Sequence, residues 1–272
     1  MVEIWGLLLY DKGKRRGTKV SMVQVRNVTI GAGMPKICVP IVGTTKEEIL
    51  TMARDICQVP ADLVEWRGDW FDEIFDDQEV KNLLAELRPA LGDMPLLFTF
   101  RTKAEGGERE VSAEKYAELN HLVVGTGCVD LIDVEIFSQE KVAGELIDEA
   151  HQWGVKVVGS NHDFKATPEK EEIIRRLCHI ATVGADISKI AVMPQREEDV
   201  LTLLSATEEV RNRHIGKPVV TMSMSGKGVV SRISGETFGS AITFGALHKA
   251  SAPGQIGVKE LKGVLEILNQ AQ

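Results

Sequence analysis

Lys189 stands in the middle of the apolar run 185–193, ADISKIAVM, between Gly184 and Pro194. An ammonium inside a buried strand is costly unless it is paired or gives up its proton. Desolvation favours loss of the proton, and a neutral lysine is a nucleophile able to form a Schiff base. On this run alone the plainer reading has the advantage: an edge strand that turns the amine to solvent.

Other residues fit for chemistry fall at the ends of similar runs. Glu65 and Arg67 lie in EWR, Arg101 and Glu105 in TFRTKAE, and Asp133 and Glu135 in VDLIDVEI. His162 lies in SNHDF, Arg232 in SRISG, and Ser251 and Gln255 in SAPGQ. Each alone has a bland explanation. A loop histidine is more often structural, and an arginine at a strand end is more often part of a surface ion pair. Carboxylates inside an apolar strand are harder to dismiss, because buried acids need partners.

Together the types define a reaction. A neutral amine captures a ketone as an iminium, which acidifies the adjacent C–H. Histidine, titrating near neutrality, is suited to remove that proton. A hydroxyl β to the iminium carbon then leaves, protonated by the same imidazolium. Glu105 is the candidate to hold the other imidazole nitrogen and fix its tautomer. Arginines bind a substrate carboxylate, ideally in bidentate fashion. The expected substrate is a small hydroxylated keto-acid, and the expected reaction is loss of water without metal or organic cofactor.

Bringing these residues to one face requires a particular fold. Strand-like runs occur at 36–42, 62–66, 95–100, 129–136, 155–160, 186–193, 218–224 and 241–246. Helical patterns lie between them. Thr45-Lys46-Glu47-Glu48 is a capping box ahead of Ile49, Met52, Ala53 and Ile56. Thr167-Pro168 opens a second helix, Arg196-Glu197-Glu198 precedes a third, and Val258 to Leu268 forms a last one. Strands at intervals of about 25–35 residues, alternating with helices, predict an α/β fold, a (β/α)8 TIM barrel. Continuous apolar runs suit parallel strands covered on both faces. The rival doubly wound sheet announces itself with a Gly-rich turn after an early strand, and none is present. Residues 23–31, VQVRNVTIG, read as an N-terminal β-hairpin. In a barrel the strand ends and following loops build the site, which is where these residue types fall.

The composition restricts the partners. With 272 residues, 43% hydrophobic and 26% charged, the chain can bury one sizeable core. A net charge of −8 argues against non-specific nucleic-acid binding and against an anionic membrane surface. The scattered Cys38, Cys57, Cys128 and Cys178 read as reduced thiols of a cytoplasmic protein. No histidine spacing suits a structural metal, and no apolar stretch is long enough for a transmembrane helix. The segment 1–21 has its apolar part before its basic part, the wrong order for a signal peptide. It is expected to be a loosely attached, non-native extension, with residues 22–272 forming a single barrel domain.

In order and spacing, EWR, TFR with Glu105, SNHDF, SKIA around Lys189, SRISG and SAPGQ resemble type I 3-dehydroquinate dehydratase of the shikimate pathway. The resemblance runs from about Val23 to the C-terminus. It implies that Lys189 forms a Schiff base with the C3 ketone of 3-dehydroquinate and that His162 moves the proton. It implies that Glu65, Arg67, Arg101, Arg232, Ser251 and Gln255 bind substrate, with Arg232 on the carboxylate. The product would be 3-dehydroshikimate, formed by syn elimination, and the loop of Ser251 and Gln255 would close over it. A homodimer is implied as well. One departure is Pro40, where some relatives carry a serine that contacts substrate. Two other readings remain: a class I aldolase-type barrel lyase, and a non-catalytic quinate-binding regulator. The second would require loss of Lys189 or His162, and both are present.

Overall fold

A computed structural model describes residues 21–247 and 251–272. The expected extension at 1–21 lies, apart from Ser21, outside the described residues. Strands β1 (Val23–Val25) and β2 (Val28–Ile30) form the antiparallel hairpin, turning at Arg26-Asn27. Arg26 has a left-handed φ of 50°. Its guanidinium bonds Asp130 at 2.6 Å, which fastens the hairpin to the main body.

Eight parallel strands follow: β3 (Lys36–Ile41), β4 (Leu63–Arg67), β5 (Leu96–Thr99), β6 (Leu131–Glu135), β7 (Lys156–Asp163), β8 (Ile187–Val192), β9 (Val219–Ser223) and β10 (Ile242–Ala246). From β3 to β9 each strand pairs with the next in chain order, and β10 pairs with β3. A bridge between Val219 and Ser240 closes the remaining gap. The architecture is therefore the (β/α)8 barrel with an N-terminal hairpin that the sequence predicts. A short β11 (Ile256–Gly257) adds itself to β10.

The main helices are α1 (Lys46–Ile56), α2 (Asp77–Leu91), α3 (Ala113–Gly125), α4 (Glu140–Gln152), α5 (Lys170–Val183) and α6 (Glu197–Glu209). Two short ones, α7 (Val229–Ile233) and α8 (Gly235–Phe238), precede β10, and α9 (Val258–Gln270) ends the chain. Thr45 caps α1 by accepting the Glu48 N–H. The reciprocal arm differs from the expected box: the Glu48 carboxylate accepts the N–H and hydroxyl of Thr44. Helix α5 starts at Lys170 rather than at Thr167-Pro168. Asp163 Oδ1 accepts the N–H groups of Lys165 and Ala166, both at 3.0 Å, and holds that stretch as a turn.

The strand alternation separates two cores. Outward side chains such as Val64, Trp66 and Phe98 pack under the helices, with Trp66 edge-on to Phe71 at 6.2 Å between ring centres. Inward side chains Cys38, Leu63, Leu97, Leu131, Val158, Ile187, Val220 and Ile242 fill the barrel's lower half. Val23, Val25 and Ile30 of the hairpin join that inner cluster and plug the bottom. A slip of one residue would exchange the two faces, so the packing fixes which residues point inward.

Candidate active site

Each of five consecutive strands sends an apolar side chain into the barrel first and polar groups next. On β4, Glu65 and Arg67 follow Leu63; on β6, Asp133 and Glu135 follow Leu131; on β7, Ser160 and His162 follow Val158. On β8, Lys189 follows Ile187, and the chain just past β5 adds Arg101 after Thr99. Residue spacing of two is all this requires. His162, expected in a loop, remains in the ladder of β7 opposite Ala191, because its pairing with β8 continues to Asp163.

Lys189 is 4% exposed. Its amine is not bare: Nζ bonds Asp133 Oδ2 at 3.0 Å, lies 3.8 Å from Glu65 Oε1 and sits 4.9 Å from the centre of the Phe244 ring. Pairing rather than an edge position meets the cost of burial. Burial works to raise Asp133, but Arg101 and Lys189 outweigh it and hold this carboxyl well below the usual range. Asp133 Oδ1 also accepts from Ser160 Oγ at 2.6 Å and from Arg101 at 2.8 Å. Arg101 is the hub of the site, bonded to Asp133, Glu135 and Ser160, with Glu105 at 3.8 Å.

His162 and Glu105 face one another. Glu105 Oε2 lies 2.9 Å from His162 Nδ1 and accepts the His162 backbone N–H at the same distance. Burial, then the cations Arg101 and Lys189, pull His162 well below its ordinary value, which favours the neutral ring. Burial and the neighbouring Glu135 push Glu105 far above the usual carboxylate range. With Nδ1 turned to Glu105, Nε2 has no hydrogen-bond partner among the described residues.

These groups open on a cavity of about 470 Å³. Glu65, Arg67, Arg101, Glu105, His162, Lys189, Ser251 and Gln255 all line it, and Phe164, Ala191, Met222, Met224 and Phe244 form its apolar side. Several expected ligand-binding groups besides Arg101 are already engaged. Arg67 grips Asp69 through two bonds of 2.8 Å. Ser251 and Gln255 bond reciprocally at 2.9 Å across the loop.

Arg232 is placed differently from the rest. It is 2% exposed and does not line the cavity. Its Nη2 donates to the Pro253 carbonyl at 2.9 Å, and its Nε has no partner. Burial draws its pKa down to about 10. Pro40 is buried beside Glu65 on β3 and brings no hydroxyl to the interior.

Sequence reasoning missed several contributors. Asp69 is fully buried and accepts the N–H groups of Arg101 and Glu108 besides the Arg67 pair. Ser138 touches both Glu105 and Glu135. Tyr116 of α3 donates to the Asp133 carbonyl and accepts the Glu135 N–H from behind β6. Among the described residues no cluster of His, Cys, Asp and Glu is arranged to hold a metal ion; the carboxylates are taken up by cations, hydroxyls and N–H groups.

Comparison with known proteins bears on this arrangement. The profile of the type I 3-dehydroquinase family matches residues 37–272. The chain belongs to that family. It is 55% identical to the 3-dehydroquinate dehydratase of Clostridium botulinum over 249 residues, covering 92% of this chain and 98% of that protein. The Clostridioides difficile enzyme of the same name is 53% identical over 249 residues, again covering 92% and 98%. Among solved structures, a type I 3-dehydroquinate dehydratase from Clostridium difficile, crystallised with covalently modified comenic acid, superposes with a TM-score of 0.90 at 52% identity. It covers 93% of this chain and 100% of that one. The enzyme of Geobacillus kaustophilus gives a TM-score of 0.90 at 38% identity, covering 94% and 99%. In this type I 3-dehydroquinase the polar half of the barrel, not its helical exterior, gathers Lys189, His162, Glu105 and the expected substrate-binding residues other than Arg232 around one cavity, with Asp133 and Glu135 behind them.

Proposed function

We propose that this chain converts 3-dehydroquinate to 3-dehydroshikimate and water through a Schiff base on Lys189. One observation supports this reading above the others: a lysine amine and a histidine ring, both desolvated, open on the same cavity.

The residues divide the work as follows. Lys189 Nζ attacks the C3 ketone, the carbinolamine loses water, and an iminium forms. Asp133, already paired with the amine, stabilises the cationic iminium in turn. His162 Nε2 takes the proton from the carbon next to the iminium, leaving an enamine. The enamine pushes out the β-hydroxyl, which departs as water with the proton His162 now carries. Water then hydrolyses the iminium and frees the amine, so one water is released overall. Glu105 holds Nδ1–H and aims Nε2 at the substrate.

The family resemblance assigns the substrate carboxylate to Arg232, which stands outside the cavity lining here and would meet the carboxylate only as the loop it holds moves. It is buried and without a carboxylate partner among the described residues, and it is tied to the loop that carries Ser251 and Gln255. Arg67, Arg101 and Glu65 meet the hydroxyls along the opposite wall. The apolar wall of Met222, Met224 and Phe244 packs against the ring carbons.

The deciding experiment is reduction with borohydride in the presence of 3-dehydroquinate, read by intact mass and peptide mapping. A reduced adduct on Lys189 is the expected result. No adduct, or one on another lysine, removes the basis of the reading.

A further inference from the structure

Ser138 Oγ lies 2.8 Å from Glu105 Oε1 and 2.7 Å from Glu135 Oε2. A serine hydroxyl has one hydrogen to donate. It can therefore serve only one of the two acids as a donor. At the other, two acceptor oxygens this close repel unless that acid carries the hydrogen itself.

The remaining bonds decide which acid is protonated. Glu135 accepts from the Arg101 guanidinium and from the N–H and hydroxyl of Thr102, all of which favour its ionised form. Glu105 has the His162 N–H and ring on Oε2 only, with Arg101 at 3.8 Å. The other charges around Glu105 are Glu135 and Asp133 from β6, His162 from β7, Lys189 from β8, and Glu65 and Arg67 from β4. The hydrogen bonds then run from Glu105 Oε1–H to Ser138 Oγ, and from Ser138 O–H to Glu135 Oε2.

We propose that Ser138 is a positioning residue for the Glu105–His162 pair: its single hydroxyl hydrogen, shared between two acids, obliges Glu105 to hold a proton while Glu135 is ionised. Burial and Glu135 push Glu105 upward, and a Ser138 hydroxyl would pull it down only by donating to Glu105; its one hydrogen goes instead to Glu135 Oε2. The proposal rests on the Schiff-base reading above. A neutral Glu105 supports a neighbouring imidazolium weakly, and an ionised one supports it strongly. Turnover therefore rises as Glu105 releases its proton, and the Ser138 bridge sets the pH at which it does so.

The test is the pH profile of kcat/KM for Ser138→Ala and Ser138→Thr. Ser138 is exposed, so neither change disturbs the core. In Ser138→Ala a water takes the place of the hydroxyl. Water has two hydrogens, donates to both acids and lets both ionise. The acid limb should move down by about half a pH unit or more, on the scale of one hydrogen bond. Ser138→Thr keeps a single hydroxyl and should keep the parent's limb. An unmoved or raised limb in Ser138→Ala overturns the proposal, since a raised limb is what a plain donor to an ionised Glu105 would give. So does a lowered limb in Ser138→Thr. Borohydride trapping run alongside separates the two readings: an adduct in the parent and in Ser138→Ala leaves the Schiff base standing whatever the limb does. Loss of the adduct in the parent overturns both.

Discussion

One oxygen of Glu105, Oε2, accepts both the backbone N–H and the ring Nδ1 of His162, each at 2.9 Å. The double contact fixes the ring and its strand end to the same atom. Nδ1 is held as the donor, and Nε2 is left to work in the cavity.

Replacing His162 with alanine should therefore separate capture from elimination. The variant should still form the borohydride-trapped adduct, while turnover falls by about 10²–10⁴-fold, the usual range for losing a general acid–base group. Stopped-flow assay of the product enone checks this. A variant that turns over at the parent rate would remove His162 from the mechanism.

Lys189→Ala should show neither turnover nor a trapped adduct, although 3-dehydroquinate still enters. Mass spectrometry after reduction settles the matter. Trapping that persists on the variant identifies another lysine as the nucleophile.

Asp133→Asn should cost stability as well as rate. Arg101 and Lys189 both point at this carboxylate, and neutralising it leaves buried cations under-compensated. Breaking a buried pair of this kind costs about 3–5 kcal/mol. Denaturant melts of the apo protein measure it directly. A loss below about 1 kcal/mol would place the pair among those of surface strength.

Three buried groups govern how acid acts on the fold, and they do not all pull the same way. His162 lies well below its ordinary value when folded, so the unfolded chain binds the proton first. Stability then falls as pH drops through the ordinary histidine value of about 6.5, by at most about 1.4 kcal/mol per pH unit. Asp133 is also depressed, and its contribution is present above the ordinary aspartate value of about 3.9 and lost below it. Glu105 is raised and runs the other way, losing stability as pH climbs above its ordinary value of about 4.3. The His162→Ala variant should therefore lose less stability than the parent between pH 7 and 5, measured by thermal melts across that range.

Gln255→Ala breaks the reciprocal bonds to Ser251 and loosens the loop bound to Arg232 through Pro253. KM should rise by up to about tenfold, the worth of one or two net hydrogen bonds, with kcat changing less. An unchanged KM would show that the loop takes no part in holding substrate.

The barrel was legible in the sequence because parallel strands covered on both faces read as uninterrupted apolar runs. A period of two then places Glu65, Asp133, His162 and Lys189 inside without further information. Helix α3 was harder to read: Asn120 sits fully buried on its inner face beside Tyr116, and this interrupts the apolar stripe. Asp69 and Ser138 follow the ends of β4 and β6 as ordinary loop residues, and only three-dimensional pairing reveals their partners. The amine's partner was equally hidden. Sequence raised Asp133 as a buried acid, but the contact with Lys189 spans 56 residues of chain. Arg232 was suggested by type and motif, yet its side chain turns to the closing loop rather than to the cavity, a choice made by backbone geometry around Pro253.

The hairpin that stoppers the barrel's lower end makes the chamber a blind alley. Among the described residues the opposite end of the cavity is bordered by Ser251 and Gln255, and ketone, product and expelled water share that doorway. Molecules of quite different size then have to take turns there. Anything wedged in that threshold halts arrival and departure alike, so a plug shaped for the doorway would stop the enzyme without touching the lysine.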